Sequence, residues 1–304
     1  MTCILADIGG TYIRLARAGR NGPRDIVKTE VNRYSDLSAA LQSTELSGDL
    51  FIACTGTPDT SDRWVITNGD GWEIYPEDLT RAGFDLQQVV NDLEAACYAL
   101  PVLEEGRDYE PVKEKTDATA NQNLVLVGIG TGIGLAYNRA VGPEGKRRVQ
   151  RTCGGHMVPA CTTREQFEVV DRCRTITGTP PVYEDLISGR GLTGLYFGVT
   201  GREVETPSEA LEDPDVRRLF HEFLGHFLHQ AIIFGDSYGG IFLTGGVIDF
   251  LKKQGGFMPE ILLNSICLPG VPVMNEYQRA VPVYIITDPY IGLRGLYERF
   301  ISDH

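Results

Sequence analysis

Two short glycine-rich segments carry the first chemical signal in this chain. Asp7-Ile8-Gly9-Gly10-Thr11 follows the apolar run Ile4-Leu5-Ala6, and Gly128-Ile129-Gly130-Thr131-Gly132-Ile133-Gly134 follows Leu124-Val125-Leu126-Val127. After each turn the apolar pattern resumes at once, with Ile13 and Leu15 in one case and Leu135 and Tyr137 in the other. That is the pattern of a hairpin. Glycine permits positive φ and leaves backbone N–H groups with no side chain in front of them, so such a turn can hold phosphate. One hairpin of this kind is weak evidence, but two predict related halves closing on a polyphosphate. Neither fits Walker A, which needs Lys-Ser/Thr after its second glycine. Neither fits the Rossmann fingerprint, which needs a helix directly after the turn.

Carboxylates stand beside these segments. Val89-Val90-Asn91-Asp92 reads as a strand end and Leu93 to Leu100 as the helix that follows. Asp92 there can face a ligand and accept a proton, yet Asp and Asn are also the residues that cap helices. By residue type alone, capping is the favoured reading of Asp92. Asp7 would repel phosphate unless a cation lies between them, which suits Mg²⁺ held through water; the bland alternative is a turn residue bonding its own backbone.

Composition narrows the function classes. The chain has 304 residues, 42% hydrophobic and 23% charged, enough for two domains. A formal charge of −13 argues against a nucleic-acid partner. It does not exclude ATP, whose charge backbone dipoles and a metal can neutralise. No apolar run reaches membrane-spanning length, and the strand pattern begins just after Met1, so no membrane partner and a cytoplasmic location are expected. The seven cysteines are irregularly spaced with no CxxC, which predicts free, buried or half-buried thiols. Cys153, Cys161 and Cys173 near His156 lack the paired spacing of a zinc site. His221 and His226 flank a zincin-like Glu222 but are five residues apart, about 140° around a helix, and cannot share one metal. The run Lys146-Arg147-Arg148 reads as a solvated loop tip.

Positioning these groups requires a mixed α/β chain. Strand patterns fall at 2–8, 12–18, 25–31, 49–55 and 64–67, with a helix over 35–45 and another opening at Pro76. Residues 104–123 are polar and read as an exposed connection. Further helices are expected at 163–176, 181–187, 190–198 and 214–235, and a strand at Val283 to Ile286 entered through Pro282. Gly239 to Ile248 reads as strand, tight turn and helix start around Thr244-Gly245-Gly246, and Ile291 to Ile301 as a terminal helix. The fold class expected is α/β, a two-lobed actin-like ATPase (ribonuclease H-like) fold with duplicated β-meander and helix units. A small domain over 1–102, completed by 289–304, and a large domain over 103–288 are expected.

The segments then become recognisable as a set. Asp7 to Thr11, Thr67-Asn68 with Trp72, Val90-Asn91-Asp92, Gly128 to Gly134, Gly154-Gly155-His156, Glu184 before Ser188-Gly189, and Thr244-Gly245-Gly246 occur in one order. In that order and spacing the chain resembles bacterial glucokinases of the hexokinase-like, actin-fold superfamily over nearly its whole length. The resemblance implies ATP-dependent phosphorylation of a hexose, glucose to glucose 6-phosphate, with ATP between the lobes, Mg²⁺ and a homodimer. It implies Asp92 as the base, which reverses the capping reading. It implies sugar contacts from Asn68, Asn91, Asp92, His156 and Glu184. Phosphate and nucleotide contacts would come from Asp7, Gly9, Gly10, Thr11, Gly130, Thr131, Gly132, Thr244, Gly245 and Gly246, with Asp7 orienting Mg²⁺.

Two positions depart from the family pattern. Cys153 stands where the family's Glu-Gly-Gly-His segment has its acid, and Tyr12 stands where the family usually has Asn. A thiol is a poor hydrogen-bond partner for a sugar hydroxyl. A kinase for a different sugar and a non-catalytic sugar-binding sensor are therefore the alternatives. A sugar-responsive regulator of this fold would usually add an N-terminal DNA-binding helix-turn-helix; with the first strand starting at residue 2, direct DNA binding is not expected. An actin-like structural ATPase is disfavoured by the sugar-site matches.

Overall fold

Cys3–Ile8 runs into a hairpin with Tyr12–Gly19 and lies parallel to Gly48–Cys54, which lies parallel to Phe84–Asn91. The structure, a computed structural model, describes residues 2–58, 64–66, 72–113, 123–141, 146–268 and 272–301. The chain divides into two compact units, Met1–Leu103 with Asp288–His304, and Glu104–Thr287.

The sheet of the first unit has the order Gly22–Glu30, Tyr12–Gly19, Cys3–Ile8, Gly48–Cys54, Phe84–Asn91. Its central strand is buried on both faces, which is why Ile4 to Ile8 reads as an almost continuous apolar run. Ile4, Ala6 and Ile8 pack with Leu50, Ile52, Leu37 and Trp72 on one face. Leu5, Ala53 and Ala95 pack with Leu293 and Leu296 of the terminal helix Ile291–Phe300 on the other. A Cβ at Gly295 would lie 1.7 Å from the Ala95 carbonyl oxygen, so glycine is required where this helix crosses Asp92–Ala99.

The second unit repeats the plan. Its sheet has the order Lys146–Thr152, Ile133–Val141, Leu124–Ile129, Gly240–Thr244, Val283–Ile286, with Tyr109–Lys113 added antiparallel at the edge. In both units a hairpin starts the repeated plan and two parallel crossovers follow it, with Tyr109–Lys113 preceding the hairpin in the second unit. That repetition is the duplicated ribonuclease H-like unit of the actin-like α/β fold. The helix Pro214–Gly235 buries Leu219, Phe220, Phe223, Leu224, Phe227, Leu228 and Ala231 in the second core. Asp213 caps it by accepting from the amides of Asp215 and Val216.

Several expectations need correction. The polar stretch 104–123 contains a strand, Tyr109–Lys113, anchored by Tyr109 against Phe242 and Tyr284. Lys146, Arg147 and Arg148 open an edge strand, where charge discourages pairing with another chain. Three further helices, Pro207–Ala210, Pro259–Ser265 and Pro272–Ala280, lie outside the expected elements, each with Pro at its start. Among the described residues no helix is long and apolar enough to cross a membrane.

Candidate active site

In the first unit, three adjacent parallel strands deliver polar groups at their carboxyl ends, where α/β sheets bind ligands. Asp7 is the penultimate residue of Cys3–Ile8, Thr55 follows Gly48–Cys54, and Asn91 ends Phe84–Asn91. Asn91 Oδ1 accepts from the amides of Leu93 at 3.1 Å and Glu94 at 3.3 Å, so Asn91 is the helix cap. Asp92 is thereby the first helical residue. Its Oδ2 accepts from the Thr55 hydroxyl at 2.7 Å and its Oδ1 from the Leu93 amide at 2.8 Å.

Asp7 is buried, and burial pushes its carboxyl up to about 6 against the opposing pull of Arg14, with the Asp92 charge adding to the rise. Arg14 Nη1 lies 3.3 Å from Asp7 Oδ2. Cys54 is buried near the same carboxylates, and desolvation together with Asp92 and Asp7 pushes its thiol up to about 12. It stays a thiol. A Cβ at Gly292 would fall 2.7 Å from Asp7 Cγ, so the first turn of the terminal helix reaches this carboxylate only as glycine.

The two glycine turns work differently from the expectation. None of Gly9, Gly10, Gly130 or Gly132 is at positive φ. Their value is the missing side chain. The Gly9 amide donates to the Tyr12 carbonyl at 3.0 Å and the Gly130 amide to the Gly132 carbonyl at 3.0 Å, so both close their own turns. Among the described residues the amides of Gly10, Thr11, Thr131 and Gly132 donate to no protein group, and Gly10, Thr11 and Thr131 are exposed. Thr244 lies beside Gly128 in the parallel ladder. Gly245 does need its glycine: φ is 110°, and a Cβ would sit 2.4 Å from the Ile129 carbonyl oxygen. Gly246 opens the helix Gly246–Lys253, with free space where a Cβ would point.

The remaining sugar-set residues of the second unit gather on the same hairpin. Gly154-Gly155-His156 forms a short 3-10 turn against it: a Cβ at Gly154 would meet Leu135 at 2.4 Å, and one at Gly155 the Ile133 carbonyl oxygen at 2.9 Å. His156 and Cys153 are exposed, the latter against the expectation of half-buried thiols. Glu184 is buried at the start of Glu184–Ile187; its Oε2 accepts from the Ile133 amide at 2.8 Å and its Oε1 pairs with Arg190. Thr67 and Asn68 lie outside the described residues.

The glucokinase family model matches residues 4–301. The chain belongs to the glucokinase family. Its chemistry is that of an ATP-dependent sugar kinase acting on hexoses. The glucokinase of Erwinia tasmaniensis is 26% identical, covering 96% of this chain and 94% of its own. A crystal structure of glucokinase from an Antarctic psychrotroph superimposes with a TM-score of 0.80 at 21% identity, covering 98% of each chain. That of Balamuthia mandrillaris glucokinase in complex with glucose gives 0.72 at 19%, covering 98% and 93%. These two likenesses carry the fold.

Four neighbours of the glucokinase motif residues were not read from the sequence. Arg14 was within reach: a hairpin closing over residues 9–12 pairs Ile8 with Ile13, and therefore Asp7 with Arg14. Thr55, Cys54 and Arg190 carry no local signal, since each meets its partner only through strand order or loop path. The decoy histidines bind backbone instead of metal. His221 Nδ1 donates to the Arg217 carbonyl at 2.7 Å while its Nε2 accepts from the Met258 amide at 3.1 Å, and His226 Nδ1 donates to the Ala160 carbonyl at 2.8 Å.

Proposed function

We propose that this protein transfers the γ-phosphoryl group of ATP to the 6-hydroxyl of glucose. The observation that carries the proposal is the division of labour between Asn91, which caps the helix, and Asp92, whose carboxylate is held by Thr55. Asp92 takes the proton of the acceptor hydroxyl as that oxygen bonds to phosphorus; the terminal bridging P–O bond breaks and ADP leaves. The amides of Gly10, Thr11, Thr131 and Gly132, with the two threonine hydroxyls, suit phosphate oxygens, while Gly9 and Gly130 shape the turns. Gly245 and Gly246 offer bare backbone to the nucleoside, and Thr244 a hydroxyl. Asn68, the amide nitrogen of Asn91, His156 and Glu184 are the groups for the other sugar hydroxyls, each of which must be satisfied once buried.

The residues fit Mg²⁺ as a companion of ATP. Asp92 is close enough for its charge to raise the Asp7 pKa, and the described residues hold no cluster of three or more metal-ligating side chains. That donor set suits an ion that keeps waters and phosphate oxygens as its other ligands, with Asp7 orienting them. Bound there, Mg²⁺ would neutralise charge on the transferring phosphoryl group.

Cys153 favours one second reading, a kinase for a sugar other than glucose, because it offers a thiol where the resemblance places a carboxylate. ATP consumption over a panel of hexoses tests both. Glucose as the best acceptor supports the first reading; another hexose preferred by tenfold or more in kcat/KM supports the second. The free thiols suit a reducing cytoplasm. A homodimer is the proposed assembly, and sedimentation showing only monomer would overturn it.

A further inference from the structure

The carboxylate of Glu184 is committed within the protein. Oε2 accepts from the Ile133 amide at 2.8 Å and Oε1 from the guanidinium of Arg190. The glycines around it make room: a Cβ at Gly132 would lie 2.7 Å from Oε2, and one at Gly155 would lie 3.4 Å away. The same segment grips the turn at its other end. The Gly189 amide donates to the Gly130 carbonyl at 2.7 Å, and a Cβ at Gly189 would come within 2.9 Å of that oxygen. Ser188 ties the segment to itself, its hydroxyl donating to the Glu184 carbonyl and accepting from the Gly191 amide. The turn from Gly130 to Ile133 is therefore held at its first carbonyl and its last amide by one stretch, 184–191. A turn this rich in glycine loses much conformational freedom on ordering, and an outside clamp is what holds it in one shape.

We propose that Glu184 is a positioning residue for the second phosphate turn, with Arg190 fixing its carboxylate, so that nucleotide affinity depends on a residue of the sugar set. This rests on the phosphate role given to Thr131 and Gly132 above. Glu184 then links two halves of the chemistry: a sugar that draws on its carboxylate bears directly on the turn that meets ATP. A residue serving only as a sugar contact would not behave this way.

The test uses the full chain with Glu184→Gln, which keeps the shape, and Arg190→Met, which changes a mostly exposed side chain. Hydrogen exchange over 128–134, measured without ligands, should accelerate about tenfold in Glu184→Gln and less in Arg190→Met. The KM for ATP should rise about tenfold in Glu184→Gln, in addition to any rise in the sugar KM from its contact with a sugar hydroxyl. Unchanged exchange in both variants, or a rise confined to the sugar KM, would overturn the proposal. If Glu184→Gln does not fold, Arg190→Met decides by the same two readouts. Wild-type protein that binds no ATP would instead defeat the phosphate assignment, and exchange would still decide whether Glu184 holds the turn.

Discussion

Thr55 donates its hydroxyl hydrogen to Asp92 at 2.7 Å, joining the ends of two adjacent parallel strands through one side-chain bond. Asp92 is thus aimed by a residue 37 positions away in sequence, while its neighbour Asn91 satisfies the helix. Removing this bond should disturb the carboxylate's aim more than sugar affinity. Thr55→Val is expected to lower kcat about tenfold, with the sugar KM changed less than threefold, and Thr55→Ser to restore most of the rate. Steady-state kinetics of the two variants check this; equal loss in both would remove the hydroxyl from the account.

His221 sets a pH limit on stability. Burial lowers its pKa from 6.5 to about 4, against the opposing effect of the hydrogen bond from Nδ1 to the Arg217 carbonyl, and the Met258 amide donating to Nε2 fits the neutral ring. A histidine depressed on folding contributes stability that is full above its unfolded pKa and is lost as pH falls through 6.5 toward 4. The loss on reaching that range is on the order of 3 kcal/mol. Urea unfolding of wild type and His221→Gln at a series of pH values should show a flatter profile for the variant. Parallel profiles would contradict the assignment.

Cys153 bears on substrate choice. It is exposed on the turn that presents His156, and the family resemblance places a carboxylate at its position. Cys153→Glu is expected to raise kcat/KM for glucose roughly ten- to a hundredfold, the span of one charged hydrogen bond. The desolvation of an added charge reduces that gain. A wild-type glucose KM at or below about 1 mM, ordinary for an enzyme, would show that the thiol costs the site little.

The sequence pattern made some of this architecture legible and concealed the rest for identifiable reasons. Both hairpins announce themselves because glycine interrupts buried apolar strands, and Pro214–Gly235 emerges with both ends because Asp213-Pro214 marks its start. Tyr109–Lys113 is hidden by its place at a sheet edge, where a half-buried strand mixes Glu110, Pro111 and Lys113 with two apolar residues and shows no clean alternation. Within the candidate site, Asp7, Asn91, Asp92 and the glycines stand at strand ends that periodicity finds. Which of Asn91 and Asp92 caps the helix is a matter of rotamer and φ, ψ, which residue types leave open. The pairing of Glu184 with the Ile133 amide depends on how the 184–191 segment returns to the hairpin, and no local rule encodes that path.

The most direct test of the account is Asp92→Asn, assayed for hexose-dependent ATP turnover and, separately, for sugar binding by calorimetry. The amide keeps the shape and can still accept from Thr55, but it cannot take the acceptor hydroxyl's proton. Turnover should fall by about a thousandfold or more, with sugar affinity within about tenfold of wild type. Retention of a large part of the wild-type rate, with the protein folded and sugar bound, would return Asp92 to a structural role and contradict the mechanism.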